Sequence, residues 1–408
     1  LANSKLKWET TISRNFGIDF GFLNNRVNGS LEVYWNTTKD LLMAVPVDNT
    51  TGYSYQFQNF GKTSNRGIEL SVNVDVINKG DFRFNVGAIY NYNRNKLDEL
   101  PNADQYLYSS YWGSSSLVPT NDYMFVEGKA IGLVRGFISE GYYTVDDFNY
   151  TNGQYVLKEG VPDITKALTA TYMHPYDLPA GQTAFPGAAK FRDVDESGTV
   201  DLDDATCLGE VMPRHTGSFQ LNFNYKNFDL STNFNWTAGG KVYNVAAMIN
   251  ASGQEFDGIG AQRASWVADA FKVYNVNAAG DLYAVTNPDE LRALNANAKY
   301  HLPYHQSGIT SSEWLENGSY LRLQTLTLGY TLPKNWLTKV HVDKIRLYLT
   351  ATNLFTITGY SGIDPEVNAN PTGQSGFYSD LRIFPTLNMD FGTYPRARTF
   401  TFGANITF

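Results

Sequence analysis

A single cysteine, Cys207, rules out an internal disulfide and with it the stapled small-domain class. The chain has no run of about 18 apolar residues, so a helical membrane span is excluded. A β-barrel stays open, because each of its strands needs only about ten alternating residues. Charge is sparse. Only 18% of the 408 residues are charged, which argues against a disordered chain and against a highly charged soluble surface. The formal net charge is −8 and no Lys/Arg stripe is present, which weighs against nucleic acid as a partner. Histidines are scattered at His174, His215, His301, His305 and His341. His301 and His305 have the spacing of a helical zinc pair, but Pro303 between them breaks the helix such a pair requires. No G-x-S-x-G, P-loop or G-x-G-x-x-G stands in a strand–turn–helix setting, and no carboxylate pair is singled out as a glycosidase dyad. No enzyme is expected.

What the chain has in abundance is aromatic residues, 27 Tyr and 25 Phe, arranged in strict alternation with polar ones. The clearest case is Ser218 to Trp236. Phe219, Leu221, Phe223 and Tyr225 alternate with Gln220, Asn222, Asn224 and Lys226. After a turn near Asn227, Phe228, Leu230, Phe234 and Trp236 alternate with Asp229, Ser231, Asn233 and Asn235. Successive side chains on a strand point to opposite faces, so both arms have one apolar and one polar face. The apolar face is heavily aromatic and the polar face mostly neutral amide. That pairing suits lipid on one side and a watery lumen on the other.

The same unit recurs. Phe16 to Phe22 and Val27 to Trp35 flank the turn 24–25, and Ile68 to Val76 and Phe82 to Tyr92 flank the turn 78–80. In the first strand of this second pair, Ile68, Leu70, Val72, Val74 and Val76 share the apolar face. Leu321 to Leu332 and Ile345 to Leu354 flank 333–342, with a slip of apolar phase between Leu323 and Leu326 that signals a bulge. Phe400 to Phe408 closes the series. The other connections, 38–63, 96–213, 241–318 and 356–394, are long and irregular, with a short helix expected near Pro288 to Asn297. Short turns at one rim and long loops at the other mark a transmembrane barrel, with the long loops extracellular. The fold class expected is all-β, an antiparallel transmembrane barrel wall of about eight strands. Tyr106, Tyr108, Tyr111, Trp112, Trp266 and Trp314 in the loops have the chemistry to stack on sugars or peptides, or equally to form the loops' own small cores.

The sharpest motif runs from Asp193 to Asp204 (DVDESGTVDLDD). A calcium loop needs oxygen ligands at its odd positions and its twelfth, with Gly at the sixth for the tight turn. Here Asp193, Asp195 and Ser197 would ligate through side chains and Thr199 through its carbonyl, with Gly198 at the turn. Asp201 would bind directly or through water, Asp204 would close the loop, and Val200 is the apolar anchor. Asp204 stands where the longer Glu is usual, which lowers the affinity expected and admits Mg²⁺ beside Ca²⁺. The role expected of the ion is structural.

Several stretches together resemble the C-terminal portion of SusC/RagA-type TonB-dependent outer-membrane transporters of Bacteroidetes. They are WETTISRNFGIDFGFLNNRVNGSLEVYWNTTKDLL (8–42), NFGKTSNRGIEL (59–70), FRDVDESGTVDLDD, SYLRLQTLTLGYTLP (319–333), RLYLTATNLFTITGYSGIDPEV (346–367) and RTFTFGANITF. The resemblance implies that these are the last strands of a plugged barrel of about 22. The first residues, Leu1-Ala2-Asn3, have no initiator Met, and the chain reads as a piece of something longer, without plug, earlier strands or TonB-contacting segment. Family likeness also implies a SusD-like surface lipoprotein over the long-loop rim, oligosaccharide or oligopeptide import, and pairing of two transporter–lipoprotein units. A different class, a secreted calcium-binding β-rich glycan-binding protein, shares the Asp193 loop, but a dockerin would need a second copy of it.

Overall fold

A computed structural model of the chain describes residues 3–53, 55–59, 61–100, 105–110, 117–169, 174–252, 264–302, 308–337, 342–367 and 387–408. Alternating stretches become long strands of one antiparallel sheet, whose order across the sheet is the order along the chain. They are β1 (Thr10–Phe22), β2 (Val27–Lys39), β3 (Lys62–Lys79), β4 (Phe82–Glu99), β5 (His215–Tyr225), β6 (Phe228–Ala238), β7 (Tyr320–Thr331), β8 (Lys344–Thr358) and β9 (Thr399–Thr407). The wall thus has nine strands where about eight were expected. Four short-turn pairs account for eight of them, and β9 adds one more by pairing with β8. Each strand's backbone groups pair with the next, as a lipid-embedded wall requires.

One apolar row shows how register carries the sequence pattern across the sheet. Val86 lies opposite Leu221, Leu221 opposite Thr232, Thr232 opposite Leu326, Leu326 opposite Ala351, and Ala351 opposite Phe400. The row nearest the short turns is aromatic: Phe82, Tyr225, Phe228 and Tyr330. Two bulges adjust the alternation. The phase slip in β7 falls at Gln324, where pairing steps from Asn233–Thr325 to Phe234–Leu323. Opposite it, β8 places Asn353 in the left-handed region at φ 51°. In β3 the pairing steps from Asp75–Asn85 to Ile77–Phe84, so Ile77 rather than Val76 continues the apolar row. A bulge inserts one residue and inverts the parity beyond it; the β7 bulge falls where the phase slip signalled one, whereas strict alternation gave no sign of the one in β3.

Among the described residues, the long connections contain regular structure. The chain between β2 and β3 contains a hairpin, Leu42–Pro46 against Tyr55–Asn59. The connections β4–β5 and β6–β7 fold together into a layer of short strands and helices at the long-loop rim. Its first core gathers Leu97 from the end of β4 and Leu100 just beyond it with Tyr108, Tyr123, Tyr243 and Trp314. Its second gathers Phe137, Tyr143, Phe185, Val200, Phe271 and Leu291. Contacts between the two connections tie the layer: Tyr155 donates to the Thr286 carbonyl (2.8 Å), and Tyr243 and Thr310 share a hydroxyl bond (2.7 Å). The helix expected near Pro288 to Asn297 spans Pro288–Leu294. Asn287 caps it, its side chain accepting from the amides of Asp289 and Glu290.

Candidate functional site

The face opposite the apolar rows is lined by small amides and hydroxyls that bond to one another across strands. Ser231 Oγ donates to Asn222 Oδ1 (2.7 Å), and the Asn222 amide donates to Asn85 Oδ1 (3.5 Å). Ser30 and Ser71 share a hydroxyl bond of 2.9 Å, as do Thr327 and Thr350. Such groups both donate and accept, so the wall offers a neutral, wettable surface to polar solutes. Some of its charges are held in pairs, whereas Glu32 and Glu69 lie opposite each other with no cationic partner among the described residues. Arg346 forks onto Asp229, with Nε donating to Oδ1 at 2.9 Å. The pair passes over Gly329 of the intervening strand, where a Cβ would lie 2.4 Å from Asp229 Oδ1. Nearer the long-loop rim, Arg322 is 2% exposed and meets Asp364 (2.5 Å) and Glu366 (3.0 Å), while Glu366 also meets Arg396 (2.6 Å). A buried guanidinium needs such partners. Asp364, Glu366 and Arg396 belong to the connection between β8 and β9, so this network pins that connection to β7. Alternation alone gave no sign of it, because the partners are distant in sequence.

The aromatic candidates divide. Tyr106, Tyr108, Trp266 and Trp314 pack within or against the first loop core, which favours the internal role over stacking on a ligand. Tyr111 and Trp112 lie outside the described residues. His301 is buried against Trp266, with Nδ1 2.8 Å from the Leu302 carbonyl, and burial lowers its pKa to about 4. His305 and His341 lie outside the described residues. Two carboxyls of the loop layer are held well above the usual range by burial: Asp122, pushed up to about 7, and Glu313, also to about 7. Asp122 accepts from the Ser110 amide (2.8 Å) and hydroxyl (2.5 Å).

The Asp193–Asp204 segment folds as a closed turn. Gly198 takes φ 88°, a conformation that disfavours any side chain, and its amide donates to Asp193 Oδ2 (2.7 Å). Asp195 accepts from the Ser197 amide (3.0 Å), the main cause of its lowered pKa. Ser197 Oγ donates to the Thr199 carbonyl (3.0 Å). Fully buried Asp204 accepts from the amides of Val194 (2.5 Å), Asp195 (3.3 Å) and Asp201 (2.8 Å). Val200 is buried in the second core, and Thr199–Val200 pairs with Asp163–Ile164. The fold thus brings together carboxylate oxygens of Asp193, Asp195 and Asp204, all within 4.8 Å of one another. Among the described residues none of the three is in an ion pair. Asp201 is placed differently: its carboxylate accepts from the Asp203 amide (2.8 Å) and caps the turn Leu202–Asp204. Three hard anionic oxygens with no cationic side chain suit a divalent cation.

Comparison with known proteins agrees with this architecture. The family model described as TonB dependent receptor-like, beta-barrel, matches residues 1–354. TonB-dependent receptor P3 of Formosa agariphila is 30% identical over 408 residues, covering 100% of this chain and 35% of that protein. TonB-dependent receptor SusC of Bacteroides thetaiotaomicron is 27% identical over 416 residues, 100% of this chain and 32% of that protein. The fold matches that in a structure of the RagAB peptide transporter with a TM-score of 0.67 at 22% identity, over 100% of this chain and 36% of that one. The chain therefore spans about a third of the length of these relatives. The family match favours the membrane wall over the secreted glycan-binding alternative. With its antiparallel wall of one apolar and one polar face, the chain belongs to the TonB-dependent receptor-like β-barrel family of the outer membrane.

Proposed function

We propose that this wall and its loop layer serve a TonB-dependent transporter that imports oligosaccharides or oligopeptides together with a SusD-like surface lipoprotein. The observation that carries the reading is the combination of a lumen face rich in amides and hydroxyls with a folded layer at the long-loop rim. A solute with many hydroxyls or amides exchanges water for such a wall without burying charge. The ordered rim supplies a surface on which a lid protein can seat. Work comes from TonB, acting through transporter segments outside this sequence, and no covalent chemistry is assigned to this chain. The test is isolation of the tagged transporter from native outer membranes, followed by uptake of labelled oligosaccharides and oligopeptides into cells with and without it. Co-isolation of a surface lipoprotein and transporter-dependent uptake of either class support the reading. A transporter that isolates alone and leaves the uptake of both classes unchanged refutes it.

Within the loop layer, the Asp193–Asp204 turn would hold one Ca²⁺ or Mg²⁺ through Asp193, Asp195 and Asp204, with Ser197 and the Thr199 carbonyl completing the oxygen set. Asp201 would act through the turn it caps or through water. The ion would offset three clustered negative charges and fasten the second loop core through Val200. That is a structural role.

A further inference from the structure

We propose that the outward face of β1–β4 at the long-loop rim is a binding surface for a phosphorylated lipid headgroup of the outer leaflet. On this face Arg14 lies opposite Trp35, Trp35 opposite Arg66, and Arg66 opposite Arg94, forming one row across four adjacent strands. All three guanidiniums are exposed, and among the described residues none has an ion-pair or hydrogen-bond partner. One step nearer the rim, Ser64 and the Asp98-paired Lys96 line a cavity of about 220 Å³ with Arg66 and Arg94. The nearby carboxylates are spoken for: Asp98 meets Lys96 (3.5 Å) and Glu99 meets Lys62 (3.1 Å).

Like charges directly opposite on neighbouring strands repel. Arg66 and Arg94 in register therefore call for an anion between them. The row's position decides which one. Directly toward the membrane lies the row Phe16, Val33, Ile68 and Tyr92, part of the apolar surface that faces lipid. A ligand that fits both rows has acyl chains below and an anionic head immediately above. Strands about 4.8 Å apart place Arg14 and Arg94 about 14 Å from each other, the scale of a lipid headgroup. Arginine forks onto phosphate oxygens, and Trp35 within the row has the amphipathic ring favoured at a membrane interface. The inference rests on the barrel's orientation and is independent of the substrate and of the lipoprotein.

The experiment is native mass spectrometry of the purified transporter released from micelles containing a phosphorylated glycolipid, its dephosphorylated counterpart, or inorganic phosphate. The wild-type protein should retain the phosphorylated lipid, retain its dephosphorylated counterpart at least about 10-fold less, and lose the first with rising salt. The double variant Arg66→Gln/Arg94→Gln should lose retention by at least about 10-fold, whereas Arg66→Lys/Arg94→Lys should keep much of it. Equal retention of the two glycolipids by the wild type overturns the proposal, and that arm needs no variant to fold. Displacement by inorganic phosphate at the lipid's own concentration also overturns it, marking an ion site. So does undiminished retention by a Gln double variant that runs as a folded barrel.

Discussion

Substitution of Leu221 by lysine tests the lipid-facing assignment at its centre. Leu221 lies in the apolar row between Val86 and Thr232. Tyr225, in the aromatic row near the short turns, and Gly217, beside Tyr90 and Trp236, are each four residues away along β5. At about 3.4 Å per residue that interval is about 27 Å along the strand, or about 21 Å in height at a tilt of about 40°. Leu221 therefore sits near the middle of an apolar band expected to be about 25 Å tall, where a lysine costs about 2–4 kcal/mol. The neighbouring Asn222→Lys points the other way, among Asn85 and Ser231 on the polar face, and loses only neutral polar bonds worth about 1 kcal/mol or less. At about 1.4 kcal/mol per decade, Leu221→Lys should lower the folding equilibrium about 30- to 700-fold. Urea titration of the transporter in lipid, followed by heat-modifiable mobility on gels, reads both variants. Equal destabilisation at the two positions would refute the assignment of faces.

Loss of Arg322 by Arg322→Ala should destabilise by about 3–5 kcal/mol, because Asp364 is left buried and unpaired; limited proteolysis of the β8–β9 connection reads the loss, and wild-type resistance would count against it. Asp122 has its folded pKa raised to about 7 from an ordinary 3.8, so the folded state holds the proton more tightly. Its stabilisation is full below about pH 4 and is lost as pH rises through about 7. Hydrogen exchange in the loop layer should quicken over that window, and Asp122→Asn should weaken the dependence while Glu313, also raised to about 7, retains its share. Chelation by EDTA should speed exchange around Val200 and lower the thermal midpoint, with Ca²⁺ restoring both. Asp204→Ala should remove the response to calcium, and a chelator that changes nothing would reject the ion.

Much of the wall was legible because its signal is local. In β5, Phe219, Leu221 and Phe223 state a face with no reference to distant residues, and pairing through a short turn sets the register. Even the β7 bulge showed as a break of phase between Leu323 and Leu326. The Asp193 turn was legible for a similar reason, since its carboxylates, Gly198 and buried Val200 all lie within one short span. Tertiary structure alone decided the rest. The loop layer is made of short strands joined over long separations, as when Tyr123 donates to the Leu387 carbonyl, and such pieces carry too little periodicity to announce themselves. Asp201, spaced as a ligand, also caps the turn Leu202–Asp204 through Oδ1. The arginine row exists only because register aligns β1 to β4: Arg14, Arg66 and Arg94 are far apart in sequence. Spacing can nominate a side chain, but only the fold determines which charges meet and which remain open to a partner.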